Sequence, residues 1–258
     1  MDESGSEVDT DLCGSLTGLA GDLRAADTAV ALIGAGLSAA SGIPTFRGED
    51  GVWGEVFDPA AFHRSRFERD PAGFWRDRLD LYDHMEPTDG AEPNPAHYAL
   101  AELVDDGVLD AVITQNTDGL HSAAGTGNVI ELHGSNARVV CDRCESTRKA
   151  GPVRRRARGG ELPPTCPCGG IYKPDVVLFG ELLPAVAHSR AERLAAESDV
   201  FLVAGSSLTV DPAASLPARI GTGTLAICNL ERTRYSDTAA YDIRADVTTV
   251  LPALVRLL

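Results

Sequence analysis

Apolar and polar positions along the chain fall into short apolar runs separated by stretches of helical period. Leu12, Leu16, Leu19 and Leu23 recur at helical spacing, which predicts a helix over residues 12–26. Residues 28–33 form a short apolar run stopped by Gly34, the signature of a buried strand. The same pattern predicts strands at 109–114, 128–132, 176–178, 200–203 and 224–228, and helices at 71–85, 184–197 and 247–257. Asn94-Pro95 sets a capping residue before a proline suited to a first turn, so another helix runs from there to about residue 105. Residues 43–58 mix proline, glycine and charge with no clean period and read as a loop, while 138–173 form a cysteine-bearing insertion. Alternation of short apolar strands with helices predicts an α/β fold, a doubly wound parallel sheet covered on both faces.

Length and charge narrow this picture. A chain of 258 residues suits one domain with a sizeable insertion, or two unequal domains, and needs no disulfides to hold its core. A net charge of -15 argues against general nucleic-acid binding, because phosphate repels such a surface. The local run Arg154-Arg155-Arg156-Ala157-Arg158 reads as a solvated loop. Lysine is confined to Lys149 and Lys173, while arginine and aspartate are plentiful. That composition is expected of a halophilic protein: at about 1 M salt the Debye length is ~3 Å, so an acidic surface hardly repels itself. The N-terminus has neither the basic nor the apolar region of a secretory signal, and no run is long and apolar enough to span a membrane. Residues 1–11 are expected to be a disordered acidic tail and the protein to be cytoplasmic.

Six cysteines refine the reading. Cys141-x-x-Cys144 and Cys166-x-Cys168 are two close pairs, which suit one structural, tetrahedral Zn2+ better than a disulfide framework. Four thiolates would leave no open coordination position. The second pair is shorter than the usual C-x-x-C spacing. Cys13 and Cys228 lie in apolar surroundings and read as inert core thiols.

Two further runs carry the chemistry. Gly34-Ala35-Gly36-Leu37-Ser38 follows a strand and is expected to open a helix, where glycines admit a pyrophosphate and a helix N-terminus favours the anion. Gly34-x-Gly36-x-x-Ala39 fits the dinucleotide fingerprint. The acid-tipped second strand of an ordinary dehydrogenase is missing, because residues 45–51 form a loop. Gln115, Asn116 and Asp118 follow the C-terminal end of a strand, where open α/β sheets place ligands. His133 comes one strand later and is the candidate general base, since imidazole titrates near the working pH.

Gly34 to Ser38, the run Gly42-Ile43-Pro44-Thr45-Phe46-Arg47-Gly48, the run Thr114-Gln115-Asn116-Thr117-Asp118-Gly119-Leu120-His121 and His133-Gly134 together resemble the sirtuins, NAD-dependent protein deacylases. The resemblance extends from about residue 12 to the C-terminus. It implies NAD contacts from Gly34, Ala35, Gly36 and Ser38, with Phe46 and Arg47 flanking the nicotinamide ribose. It implies ribose contact by Gln115, orientation of ribose and water by Asn116, carboxamide contact by Asp118, and catalysis by His133 with Asn116 and Asp118. Thr117 stands where the family usually has Ile. Gly205, Ser206 and Ser207 resemble the loop against the phosphates and ribose, Asn229 the reader of the adenosine ribose, and Val247 an adenine contact, with Ala245 where Gly is commoner. The run Lys173-Pro174-Asp175-Val176-Val177-Leu178-Phe179-Gly180-Glu181 resembles the segment that binds acyl-lysine peptide as an added strand, with Val176, Val177 and Phe179 lining the acyl tunnel beside Gly180 and Glu181. His97 and His121 match positions that look structural.

The resemblance implies a Rossmann-like NAD domain (12–56, 90–137 and 174–258) and a smaller domain built from a helical part (57–89) and the zinc module (138–173). Substrate and NAD would meet between them. The implied reaction transfers an acyl group, acetyl by preference, from protein lysine to NAD, giving nicotinamide and O-acyl-ADP-ribose. Trp75-x-x-Arg78 stands where succinyl- or malonyl-specific members carry Tyr-x-x-Arg. Mono-ADP-ribosyl transfer from the same pocket and a non-catalytic ADP-ribose-binding module are the alternatives. Acylated lysine in proteins or peptides is the expected partner, with no membrane and no direct nucleic-acid contact.

Overall fold

The computed structural model describes residues 4–46, 51–87 and 90–258. In chain order the elements are α1 (Ser4–Ala25), β1 (Ala29–Ile33), α2 (Val52–Glu55), α3 (Arg64–Arg69), α4 (Pro71–Met85), α5 (Pro95–Asp105), β2 (Ala111–Thr114), α6 (Leu120–Ala123), β3 (Val129–Glu131), β4 (Gly134–Cys141), β5 (Thr147–Lys149), α7 (Ala150–Arg158), β6 (Tyr172–Val176), α8 (Ala185–Glu197), β7 (Val200–Ala204), β8 (Thr224–Cys228), β9 (Tyr241–Ile243) and α9 (Val247–Leu257).

Six of these strands form one parallel sheet in the order β3-β2-β1-β7-β8-β9. Strand β1 shows why its sequence is uniformly apolar. Successive side chains point to opposite faces, and both faces are covered. Ala29, Ala31 and Ile33 enter a core shared with α1, α5 and α9, while Val30 and Leu32 enter a second core shared with α8. Each fully buried aliphatic side chain of this kind contributes about 1.5–3 kcal/mol. The chain builds β1, β2 and β3 outward in one direction, then crosses over to build β7, β8 and β9 in the other. The order therefore reverses between β1 and β7, the position at which doubly wound sheets open a crevice.

A second, antiparallel sheet has the order β5-β4-β6. It shares a core with α3 and α4: Phe67, Phe74, Trp75 and Tyr82 pack with Val139, Val153, Ala157 and Tyr172. Trp75 is fully buried and its indole N–H donates to Tyr172 O at 2.8 Å.

Several expectations change on this scaffold. Helix α1 begins at Ser4, so the anticipated tail over 1–11 is helical from there on, and residues 1–3 lie outside the described residues. Extending an existing helix fixes only one residue's dihedrals per step, and no proline precedes Leu12 to stop it. Cys13 falls on the exposed side of α1, out of phase with Leu16, Leu19 and Leu23; it is not a core thiol. Cys228 is buried, and burial pushes its thiol up to about 12. The Gly34–Ser38 turn opens no α-helix. It opens two short 3-10 turns, Ala35–Leu37 and Ala39–Ser41, ended by Gly42 at φ 79 and by Pro44, which biases Ile43 away from helix. Residues 177–178 fall outside the parallel sheet, because the strand there, β6, ends at Val176 and pairs with β4. The short strand β9 has no apolar run to announce it.

At the switch point the loops after β1 and β7 touch backbone to backbone. Gly34 N donates to Ala204 O at 3.2 Å, and Gly36 N donates to Gly205 O at 2.8 Å. Gly205 adopts φ 62, and a Cβ there would lie 2.4 Å from Leu37 N. Both the backbone conformation and the space exclude a side chain. Gly205→Ala is expected to lower stability by roughly 2–4 kcal/mol, the combined order of a left-handed non-glycine residue and an overpacked contact. Equilibrium denaturation checks this, and a change under about 0.5 kcal/mol would contradict it.

Candidate active site

Above the switch point, four segments converge. Asn116, 6% exposed, leaves the end of β2 and its Nδ2 donates to Gly34 O and to Ser38 Oγ, each at 3.1 Å. Ser38 Oγ in turn donates to Asp118 Oδ2 at 2.8 Å, and Asp118 Oδ1 caps Leu120 N at 2.9 Å. Gln115 Nε2 donates to Ser206 Oγ at 2.9 Å, tying β2's end to the loop after β7. Asn116, Ser38 and Asp118 thus form one directed chain of hydrogen bonds across the mouth of the glycine turn. Asn94 completes the frame: it caps α5, and its Nδ2 donates to Leu37 O at 2.8 Å and Ser41 Oγ at 3.0 Å. The sequence marked Asn94 only as a helix cap; nothing in its spacing signals the brace.

His133 follows β3. Its Nδ1 lies 2.9 Å from Gln115 O. A carbonyl oxygen only accepts, so Nδ1 carries the proton and Nε2 keeps its lone pair. Burial holds this imidazole below the usual histidine range, with the Gln115 carbonyl partly opposing. The result is a neutral ring of fixed tautomer whose basic nitrogen is Nε2.

The remaining residues fall into place unevenly. Phe46 stacks on Trp53 at 5.5 Å and 17°, and Trp53 meets the edge of Phe179 at 5.6 Å. Arg47 lies outside the described residues. Ser206 is buried and Ser207 exposed, its Oγ 3.0 Å from Thr209 Oγ1. Asn229 ends β8 on the same edge of the sheet and its Nδ2 donates to Glu231 O. Val247, the first residue of α9, is buried and packs into the core. Val177 N donates to His133 O, and Phe179 pairs with residues 62 and 64. Gly180 packs against the His63 ring. Glu181 faces inward: its carboxylate accepts from Lys173 Nζ at 2.7 Å, Leu178 N at 2.8 Å and Arg64 Nη1 at 3.3 Å. It braces this segment. A cavity of about 430 Å³ is lined by Arg64, Asp175, Val177, Glu181 and Leu182, but by none of the Gly34–Ser38 turn.

The four cysteines of the second sheet meet in one cluster. Their sulfurs lie within 4.8 Å of one another, with Cys141–Cys168 at 3.5 Å and Cys144–Cys166 at 3.8 Å. Zinc–sulfur bonds of about 2.3 Å in a tetrahedron set the sulfurs about 3.8 Å apart, so the cluster fits a structural zinc. The shortened pair is accommodated by a tight turn in which Gly169 N donates to Cys166 O; a Cβ on Gly170 would come 2.7 Å from Cys141 Sγ. Cys168 is pushed up to about 12: the Gly170 amide favours its thiolate, but the neighbouring Cys144 and Cys141 outweigh it.

This is a dinucleotide-type parallel fold with a four-cysteine module on its smaller sheet. A model described as the Sir2 family matches residues 34–212, and the chain belongs to that family. It is 57% identical over 247 residues to an NAD-dependent protein deacetylase of the halophilic archaeon Haloarcula marismortui, covering 95% of both chains. It is 47% identical to an NAD-dependent protein deacylase of Aeropyrum pernix, covering 84% of this chain and 86% of that one. Among solved structures, one concerning the mechanism and regulation of Sir2 enzymes superposes with a TM-score of 0.83 at 41% identity, covering 95% and 97% of the two chains. A Sir2–p53 peptide–NAD+ complex gives 0.80 at 34% identity, covering 93% and 96%.

Behind Asp118 lie two buried imidazoles, His97 and His121, with ring centroids 5.1 Å apart. Burial lowers His97 to about 4, against the pull of Asp118, and lowers His121 to about 3, helped by His97. The unfolded chain protonates them near 6.5, so it binds more protons than the fold does between that value and about 4. Stability present above pH 6.5 is therefore lost as pH falls, by up to about 1.4 kcal/mol per imidazole per pH unit. Denaturation midpoints at pH 7 and pH 5 check this; equal midpoints would contradict it.

Proposed function

We infer that this chain removes acyl groups from protein lysine at the expense of NAD, releasing nicotinamide and O-acyl-ADP-ribose. The observation that carries the chemistry is the neutral His133 ring, its Nδ1 committed to Gln115 O beside the Asn116–Ser38–Asp118 chain. The Sir2 membership and relatives named as NAD-dependent deacetylases support the substrate pair.

NAD, when bound, supplies the electrophilic ribose carbon and the nicotinamide leaving group. Gly34, Ala35, Gly36 and Ser38 offer the backbone for its pyrophosphate, opposite Gly205, Ser206 and Ser207. Short 3-10 turns replace the expected helix here, and the amides of Gly34, Gly36, Leu37 and Ser38 donate within the fold, so close approach to small residues rather than a macrodipole admits the anion. Asn116 and Asp118 orient the nicotinamide ribose and carboxamide, Gln115 and Phe46 flank the ribose, and Asn229 and Val247 lie toward the adenosine end. His133 Nε2 takes the proton from a ribose hydroxyl, for which a neutral imidazole is required. Val176, Val177, Phe179 and Gly180 receive the acyl-lysine strand, held in shape by Glu181.

The acyl group favoured is a small neutral one. Trp75 is committed to Tyr172 O, and the Arg78 guanidinium sits on Asn136 Oδ1 at 2.7 Å and over the Tyr82 ring at 4.7 Å. Neither is laid out as the Tyr-x-x-Arg pair that grips an acyl carboxylate. The basic run of α7 is largely spent within the fold, with Arg154 on Glu86, Arg156 on Glu161 and Arg158 on Asp83, which supports a protein rather than a nucleic-acid substrate. No helix among the described residues is long and apolar enough to cross a membrane, and a reduced thiolate cluster suits the cytoplasm.

The test is incubation with NAD and an acetyl-lysine peptide in molar salt, followed by mass spectrometry, with His133→Ala alongside. Free lysine, nicotinamide and O-acetyl-ADP-ribose are expected in equal amounts, falling at least about 100-fold in the variant. Nicotinamide release with the peptide still acetylated would overturn the reading in favour of ADP-ribosyl transfer or NAD hydrolysis.

A further inference from the structure

Thr117 sits between the two residues assigned to the nicotinamide end, yet it faces the opposite way. Asn116 and Asp118 both reach Ser38, whereas Thr117 turns to β4. There it meets Asn136 twice. Asn136 N donates to Thr117 O at 2.8 Å, and Asn136 Nδ2 donates to Thr117 Oγ1 at 2.8 Å.

Asn136 can do this because β4 loses register with β6 between Gly134 and Val139, which releases its main chain from the ladder. Its other two groups are also engaged. Oδ1 accepts from Arg78 Nη2 at 2.7 Å, and its carbonyl accepts from Arg154 Nη2 at 2.6 Å. The two guanidiniums lie over the Tyr82 ring, at 4.7 Å and 3.6 Å. Arg78 is 7% exposed, and no carboxylate pairs with it among the described residues. A buried cation donating to the amide oxygen polarises that amide and strengthens its N–H donors toward Thr117. The hydroxyl on which this bond depends is this chain's own, because an isoleucine at the position could not supply it.

We propose that Thr117 and Asn136 form a clamp that positions the Asn116–Asp118 loop and thereby sets affinity for the nicotinamide end of NAD. This rests on the NAD-dependent reading above. Two ties then join the loop to the segment that carries the base into β4: Gln115 O to His133 Nδ1, and Thr117 to Asn136 three residues further on. Arg78 on α4 and Arg154 on α7 fasten the second tie to the smaller core. Thr117 and Asn136 are positioning residues, since neither is asked to touch the reacting atoms through its side chain.

The experiment titrates the full chain calorimetrically in molar salt with NAD and, separately, with ADP-ribose, which lacks nicotinamide. Thr117→Val keeps the shape and removes the hydroxyl. It is expected to weaken NAD binding about three- to ten-fold, the scale of one net hydrogen bond, while ADP-ribose stays within about two-fold. Thr117→Ser restores NAD affinity. Asn136→Ala weakens NAD at least as much, and adding Thr117→Val to it changes little further, because both remove the same bond. If Asn136→Ala does not fold, the two Thr117 variants decide the matter. Unchanged NAD affinity in Thr117→Val, or equal weakening of NAD and ADP-ribose, overturns the proposal. Wild-type protein that binds NAD without deacylating peptide would defeat the deacylase reading instead, leaving the clamp to stand or fall on its own NAD-to-ADP-ribose ratio.

Discussion

The contact between the loops after β1 and β7 governs this molecule. Gly34 and Gly36 lie against Gly205 and Ser206 so closely that a Cβ on either glycine would come within 2.8 Å of main-chain atoms. Two adjacent parallel strands can end this way only where their connections leave in opposite directions, which happens once in the order β3-β2-β1-β7-β8-β9. The same contact leaves a ring of main-chain groups and small side chains at the strand ends. Part of the candidate site is assembled on that ring: Gln115 binds Ser206 from one side, Asn116 binds Gly34 O from above, and Gly205 N donates across to Cys228 O.

Around this seat the protein keeps its imidazoles neutral and its amides directed. His133, His97 and His121 are all held below the ordinary histidine range by burial. For His133 that leaves a neutral ring able to accept a proton, as the role proposed for it requires. For the pair behind Asp118 it is a cost in acid. The charge of -15 meanwhile resides on the surface, where arginines are paired to carboxylates across α3, α4 and α7. A relative from a halophilic archaeon shares 57% of the sequence, in keeping with a surface built for concentrated salt.

Much of this was legible in the sequence because the relevant signals are local. Apolar runs stopped by glycine marked β1 and β7, and Asn94-Pro95 marked the start of α5. Cys141, Cys144, Cys166 and Cys168 announced their cluster by pairing alone, and the structure closes it with sulfurs 3.5 and 3.8 Å apart. What escaped is what depends on distant partners. Lys173 and Glu181 looked like the flanks of a substrate strand, but Glu181 turns inward to Lys173, Arg64 and Leu178 N. Asn136 carried no motif, and its role appears only where β4 slips register. The glycine turn promised a helix, but Gly42 and Pro44 end it after two 3-10 turns. Strand β9, three residues long, forms because β8 offers it an edge.

The claim that binds these observations together is that NAD sits at the switch point with its nicotinamide-side ribose delivered to His133. The most direct measurement is a crystal structure with ADP-ribose and an acetyl-lysine peptide bound. The pyrophosphate should lie against residues 34–38 and 205–206, with a ribose hydroxyl about 2.6–3.2 Å from His133 Nε2. A nucleotide seated away from the glycine turns, or a ribose beyond reach of that nitrogen, would contradict the account.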